Sequence, residues 1–209
     1  MTLTRWMSYA IIAAGVFFGT ESIHPWLDEQ IQRSAFEKRS HRQEIAVRRY
    51  HQKTDLAVAE LDNLIDQIPT VARARFAIVR PPLDDPSNLS GYRFDIIAGV
   101  ATNGHALGEF VVDKPISDWG AYLGKLVRGE SAHMTIKNVE NNDAVERMKA
   151  IHMREFVAVP ILNKNGALIA AIFVSWDIED PPVTNLPEVI AKAEKAAQRI
   201  GSHPLMNFD

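Results

Sequence analysis

Seven histidines (His24, His41, His51, His105, His133, His152 and His203) are the side chains of this chain best suited to metal or proton chemistry. No two stand three or four residues apart, the spacing that puts two imidazoles on one helix face around a shared metal. Cysteine is absent, which excludes disulfides, thiolate ligands and cysteine nucleophiles. No Gly-x-Ser-x-Gly turn presents an activated serine. The stretch 103–108 has two glycines but no following Lys-Ser/Thr, so it reads as a turn rather than a phosphate cradle. Asp84-Asp85 and Glu179-Asp180 stand beside prolines and read as solvated loop acids. Asp95 is the odd acid, set inside an apolar strand. It either faces solvent while Phe94 and Ile96 face the core, or it belongs to a partner or ligand surface. No catalytic, cofactor or metal site is expected, and the chain does not read as an enzyme. At 209 residues, 46% hydrophobic and 23% charged, it is long and apolar enough to fold. A formal charge of −3 argues against a nucleic-acid partner.

The first residues speak of location. A short head, residues 1–5, ends in Arg5, and no charge follows from Trp6 to Thr20. That run is shorter than the roughly 17–25 residues of a usual span, but continued to Trp26 it is long enough. Arg5 can snorkel to one interface, and Trp6, Tyr9 and Trp26 suit the headgroup regions. A cleaved signal lacks small residues at a sensible cut site, and a buried core helix would show a polar face. Residues 6–26 are therefore expected to be an uncleaved transmembrane anchor. Arg5 before the span places the N-terminus in the cytoplasm and the bulk outside. Gly15 and Gly19, with Ala10 and Ala14 one face over, are spaced for close helix packing in lipid, so self-association is expected there.

Residues 27–69 read as a helical stalk. No glycine occurs between Trp26 and Ile68, and Ala57, Leu61, Leu64, Ile65 and Ile68 keep helical spacing. The last turns should pack on a globular domain, while the first half is polar. Arg33 to Lys53 carries seven basic side chains against Glu37 and Glu44, a solvated face or one that meets anionic membrane lipids.

Residues 70–209 read as one α+β unit. Strands are expected at 75–80, ended by Pro81-Pro82, then at 92–101, 133–137, 156–162 and 167–176. Helices are expected from Trp119 to Arg128, capped by Ser117 or Asp118, and at 142–150. A last helix should open at Asn185 and Pro187 and stop at Gly201. Asn163-Lys164-Asn165-Gly166 is a hairpin turn, and Pro160 asks for an edge or bulge. A mostly antiparallel sheet, packed by the stalk end and the C-terminal helix, accounts for this order.

Two resemblances follow. Val159-Pro160-Ile161, the Asn-Gly hairpin, the long apolar strand and the closing helix look like the end of a GAF or PAS-like sensory domain. The whole layout also resembles the holins of T-even phages. The residues that carry this are Arg80-Pro81, Phe94-Asp95-Ile96-Ile97-Ala98, Val112-Asp113-Lys114, Phe173-Val174-Ser175-Trp176 and Ala196-Ala197-Gln198-Arg199-Ile200, in the family's order. The holin resemblance implies a protein that oligomerises in the host bacterial inner membrane and forms lesions that time lysis. It further implies a periplasmic domain at 70–209 that receives an inhibitory, antiholin-type partner, without cofactors. The GAF/PAS resemblance implies instead a membrane-anchored sensory or ligand-binding protein, in which Trp119 and Trp176 either line a pocket or pack in the core.

Overall fold

A computed structural model describes residues 48, 50–68, 70–102, 104–107, 110–138 and 142–206. The chain divides into two compact units, Met1–Tyr50 and His51–Asp209. The anchor residues Arg5, Trp6, Tyr9, Ala10, Ala14, Gly15, Gly19 and Trp26 lie outside the described residues. Among the described residues no helix is long and apolar enough to cross a membrane.

The second unit begins with helix α1, residues 51–67. Its apolar positions at helical spacing become the buried ones: Ala57 and Leu61 are fully enclosed, and Leu64, Ile65 and Ile68 are buried. Strands β1 (Arg73–Leu83), β2 (Arg93–Ala101) and β3 (Lys114–Pro115) follow. A 3-10 helix, Ile116–Tyr122, runs into the short α2, Leu123–Val127. Next come β4 (Ala132–Thr135), α3 (Asn142–Ala150), β5 (Met153–Leu162), β6 (Leu168–Asp177) and α4 (Leu186–Ser202). The strands form one six-stranded antiparallel sheet, in the order β3-β2-β1-β6-β5-β4.

The period of two along each strand divides the interior into two layers. On one face Ala74, Phe76, Val157, Ile172 and Val174 meet α1 and α4. Those helices are joined at their polar edges by Arg199 Nε donating to Glu60 Oε2 at 2.6 Å and Lys192 Nζ donating to the Gln67 carbonyl at 2.9 Å. On the other face Ala77, Val79, Phe156 and Ala171 meet the 3-10 helix, α2 and α3.

Several boundaries differ from the sequence expectation. β1 does not end at Pro81-Pro82 but runs to Leu83. Its pairing with β6 is irregular between Ile78 and Leu83, where the missing proline N–H groups are tolerated. The helix expected from Trp119 is broken: Gly120 adopts φ 62, ψ −144, and Pro115 rather than Ser117 or Asp118 precedes the first turn. The strand expected at 133–137 closes at Thr135. Gly201 does not stop α4 but lies inside it. A Cβ there would meet Ile161 Cγ2 at 2.8 Å, so the glycine serves close approach to β5. Pro160 sits in an interior strand, yet β4 pairs β5 only as far as Ala132 with Ala158, so β5 has a free edge at the proline. The hairpin and the α4 start form as expected. Asn163 Oδ1 accepts from Asn165 and Ala167 N–H, and Asn185 caps the Glu188 N–H.

Candidate functional site

Two arginines on alternate positions of β1 begin the site. Arg73 pairs with Ser175 and Arg75 with Phe173 of β6, so both side chains leave the sheet on the face away from α1 and α4. Arg73 is fully buried. It donates through Nη2 to Asp177 Oδ1 and through Nη1 to the Ile151 carbonyl at 3.1 Å. The second carboxylate oxygen of Asp177 stands 2.8 Å from Nδ1 of His105, in the segment after β2. His105 Nε2 lies 3.6 Å from Asp180 Oδ1, an ion-pair distance rather than a hydrogen bond. Asp180 closes the turn after β6 by accepting from the Asp177 N–H at 2.6 Å. It is therefore a structural acceptor beneath His105, not the solvated loop acid its proline neighbours imply.

Arg75 is different. Its Nη2 is buried with no hydrogen-bond partner, as is Nε of Arg73. Burial, and then the neighbouring Arg73 cation, lower the Arg75 guanidinium to about 10. Opposite it on β2 stands Gly99. A Cβ on Gly99 would meet Leu107 Cδ1 at 2.8 Å and Arg75 Cγ at 3.4 Å, so the missing side chain lets Leu107 close over the arginine stem.

Single ligand atoms of His105, Asp177 and Asp180 lie within 4.8 Å of one another, as metal ligands would. The arrangement suits a cation poorly, because both Asp177 oxygens are already engaged and a guanidinium rests against one of them. The enclosed donors left without an acceptor here are Arg73 Nε and Arg75 Nη2.

Sequence reasoning singled out other residues. Asp95 is buried and does not face solvent. It pairs with Arg80 Nη2 at 2.6 Å and accepts from the Asp113 N–H at 2.7 Å, anchoring the segment before β3. A partner would meet it through Arg80, whose side chain is 51% exposed. Trp119 and Trp176 cannot line one pocket, because they belong to opposite faces of the sheet. Trp176 is sealed in the helix layer. Trp119 packs among Phe94, Tyr122 and Phe173, with ring centroids 5.1–6.1 Å apart. A cleft of about 340 Å³ opens at the free edge of β5 beside α4, and across it Ser131 donates to Glu194 at 2.7 Å. The arginine cluster was missed because its members come from three distant segments. Its one local signal is the Arg-x-Arg alternation leading into an apolar strand.

No family model matches the chain, and no curated protein matches it. Solved structures do. The GAF domain of PixJ from Thermosynechococcus elongatus, in its blue-light absorbing form, superposes with a TM-score of 0.55 at 10% identity, over 73% of this chain and 87% of that one. The GAF3 domain of Slr1393 from Synechocystis sp. PCC6803 gives 0.52 at 12%, over 72% and 91%. A phycocyanobilin-bound GAF domain from a cyanobacterial phytochrome gives 0.51 at 14%, over 84% and 97%. Nothing in these comparisons supports the holin identity. At such identities the likeness is one of fold, and the described residues from 51 to 206 form an α+β GAF-like fold with a curled antiparallel sheet.

Proposed function

We propose that this chain is a membrane-anchored, GAF-like sensory protein that binds a small ligand and catalyses nothing. The observation that carries the reading is the half-buried guanidinium of Arg75, whose Nη2 is enclosed with no hydrogen-bond partner, on a GAF-like sheet and on the face away from the two packing helices. A fold held together by apolar layers gains nothing from an enclosed donor left without an acceptor, so its presence favours an external partner. Residues 6–26 hold the protein in the bacterial inner membrane, with Arg5 in the cytoplasm and residues 70–209 in the periplasm. The uncharged run from Trp6 to Thr20 supports this topology. Ala10, Ala14, Gly15 and Gly19 bring copies together in lipid, so that ligand occupancy outside can alter their association. Headgroup lipids are its other partners, and nucleic acid is not one.

The test is a thermal-shift screen of the purified full chain in detergent against a panel of small metabolites. A ligand that binds only the folded state raises the melting temperature in a concentration-dependent way. At least one saturable rise is expected, and a panel with none overturns the reading. Inducible expression with a membrane-potential dye separates it from a lesion-forming protein held by an antiholin-type partner. The potential is expected to persist as the chain accumulates. An abrupt, delayed collapse would restore the holin reading.

A further inference from the structure

We propose that Arg75, with Arg73 beside it, receives a small oxyanion: the carboxylate or phosphate group of a ligand, on the sheet face opposite α1 and α4. This names the ligand chemistry of the function proposed above and rests on that reading.

The two guanidiniums stand on alternate residues of one strand and leave the sheet on the same face. Only one has its charge answered. Arg73 is committed to Asp177 and to the Ile151 carbonyl, and Asp177 is in turn shared with His105. Arg75 has no acid among the described residues, and its Nη2 is sealed from solvent without an acceptor. Desolvation and its neighbour both act against its charge, as its lowered pKa records. A guanidinium remains protonated even so, and its planar fork matches two oxygens of a carboxylate or phosphate. An oxyanion would supply the missing acceptor for Nη2 and screen the repulsion between the two arginines.

The cover over the site is built from the segment after β2. Leu107 reaches the Gly99 backbone beside the Arg75 stem, and His105 is tethered to Asp177. Leu107 and His105 thus bring the same segment to the surroundings of both arginines.

The test uses the full chain in detergent, with inorganic phosphate, sulfate or acetate compared against chloride at matched ionic strength. The wild type is expected to melt higher in at least one oxyanion, with saturation. Arg75→Gln should lose that response, and Arg75→Lys, which keeps the charge but not the fork, should need about tenfold more anion. Arg128→Gln, at an exposed arginine paired to Glu130, should respond as the wild type does. Without anion, Arg75→Gln should melt no lower than the wild type, because it removes an enclosed guanidinium donor that has no acceptor. A merely structural arginine predicts a lower melting point. Oxyanions that act as chloride does, or an Arg75→Gln protein that keeps the response, overturn the proposal. If a panel compound stabilises wild type and Arg75→Gln equally, the anion site falls while the ligand-binding reading stands. If neither panel nor anions act, both fall.

Discussion

Buried carboxylates in this protein are held by cations from neighbouring positions, and Glu155 shows what that does to its proton. Burial alone pushes its carboxyl up. Hydrogen bonds from His133 and Arg154, with their charges, outweigh that and hold it below the ordinary 4.5. His133 Nε2 stands 2.8 Å from Oε2, and Arg154 donates to Oε1 at 2.6 and 3.0 Å. A carboxyl whose pKa is lower folded than unfolded adds stability that is complete above the unfolded value. That stability fades as pH falls through the folded value. Glu155→Gln should therefore cost about 1–2 kcal/mol near neutral pH. Its deficit against the wild type should shrink as the pH drops below 4.5. Melting curves of both proteins across that range check it, and a deficit constant down to strong acid would contradict the ion-pair account. Asp95 is likewise buried, and Arg80 and the Asp113 N–H supply its hydrogen-bond partners.

Among the elements, α4 depends on small residues. Ala193 and Ala196 are fully buried and Ala197 nearly so, which brings its backbone close to β5. Gly201 continues that approach against Ile161. Alanine at this position gains up to about 1 kcal/mol of helix propensity, but forcing a methyl into the contact costs about 1–3 kcal/mol. Gly201→Ala should be net destabilising by about 1 kcal/mol in the wild type, and stabilising where Ile161→Ala has removed the opposing methyl. Chemical denaturation of the four proteins of this cycle measures the coupling. A Gly201→Ala effect that ignores residue 161 would show that the contact is not the reason for the glycine. The 3-10 helix makes a related point: its Gly120 break lets Trp119 and Tyr122 stack 6.1 Å apart in one aromatic group, which an unbroken helix from Trp119 to Arg128 does not describe.

At the scale of the domain, the sheet is a partition with an apolar layer on each side, and α1 belongs to one of them. Leu61 of α1 is fully enclosed with Phe76, Val174 and Ala196 in that layer. Leu61→Ala should cost about 2–5 kcal/mol, the range for a large side chain deleted from a tight core. The loss should appear as one cooperative shift of the full unfolding transition in urea. A loss below about 1 kcal/mol would mean that α1 is only docked on a domain complete without it. If α1 is integral, a displacement of α1 itself reaches the sheet directly.

Local chemistry in the sequence was enough for the elements whose signals lie within a few residues. The Asn163–Gly166 turn closes through its own side chain, Asn185 caps α4, and long runs of apolar, β-favouring residues mark β2 and β6, because each rests on backbone geometry that neighbours impose. The apolar stripe of α1 likewise announced its buried face before any partner was known. Tertiary structure alone decided which strands became neighbours. The order β3-β2-β1-β6-β5-β4 sets Arg73 against Asp177, 104 residues away, and His105 against the same carboxylate, 72 residues away. Strand periodicity tells which side of a sheet a residue faces but not which strand lies beside it. The arginine cluster, the burial of Asp95 and the separation of Trp119 from Trp176 all turn on that choice of neighbours, which long-range pairing makes and no local spacing records.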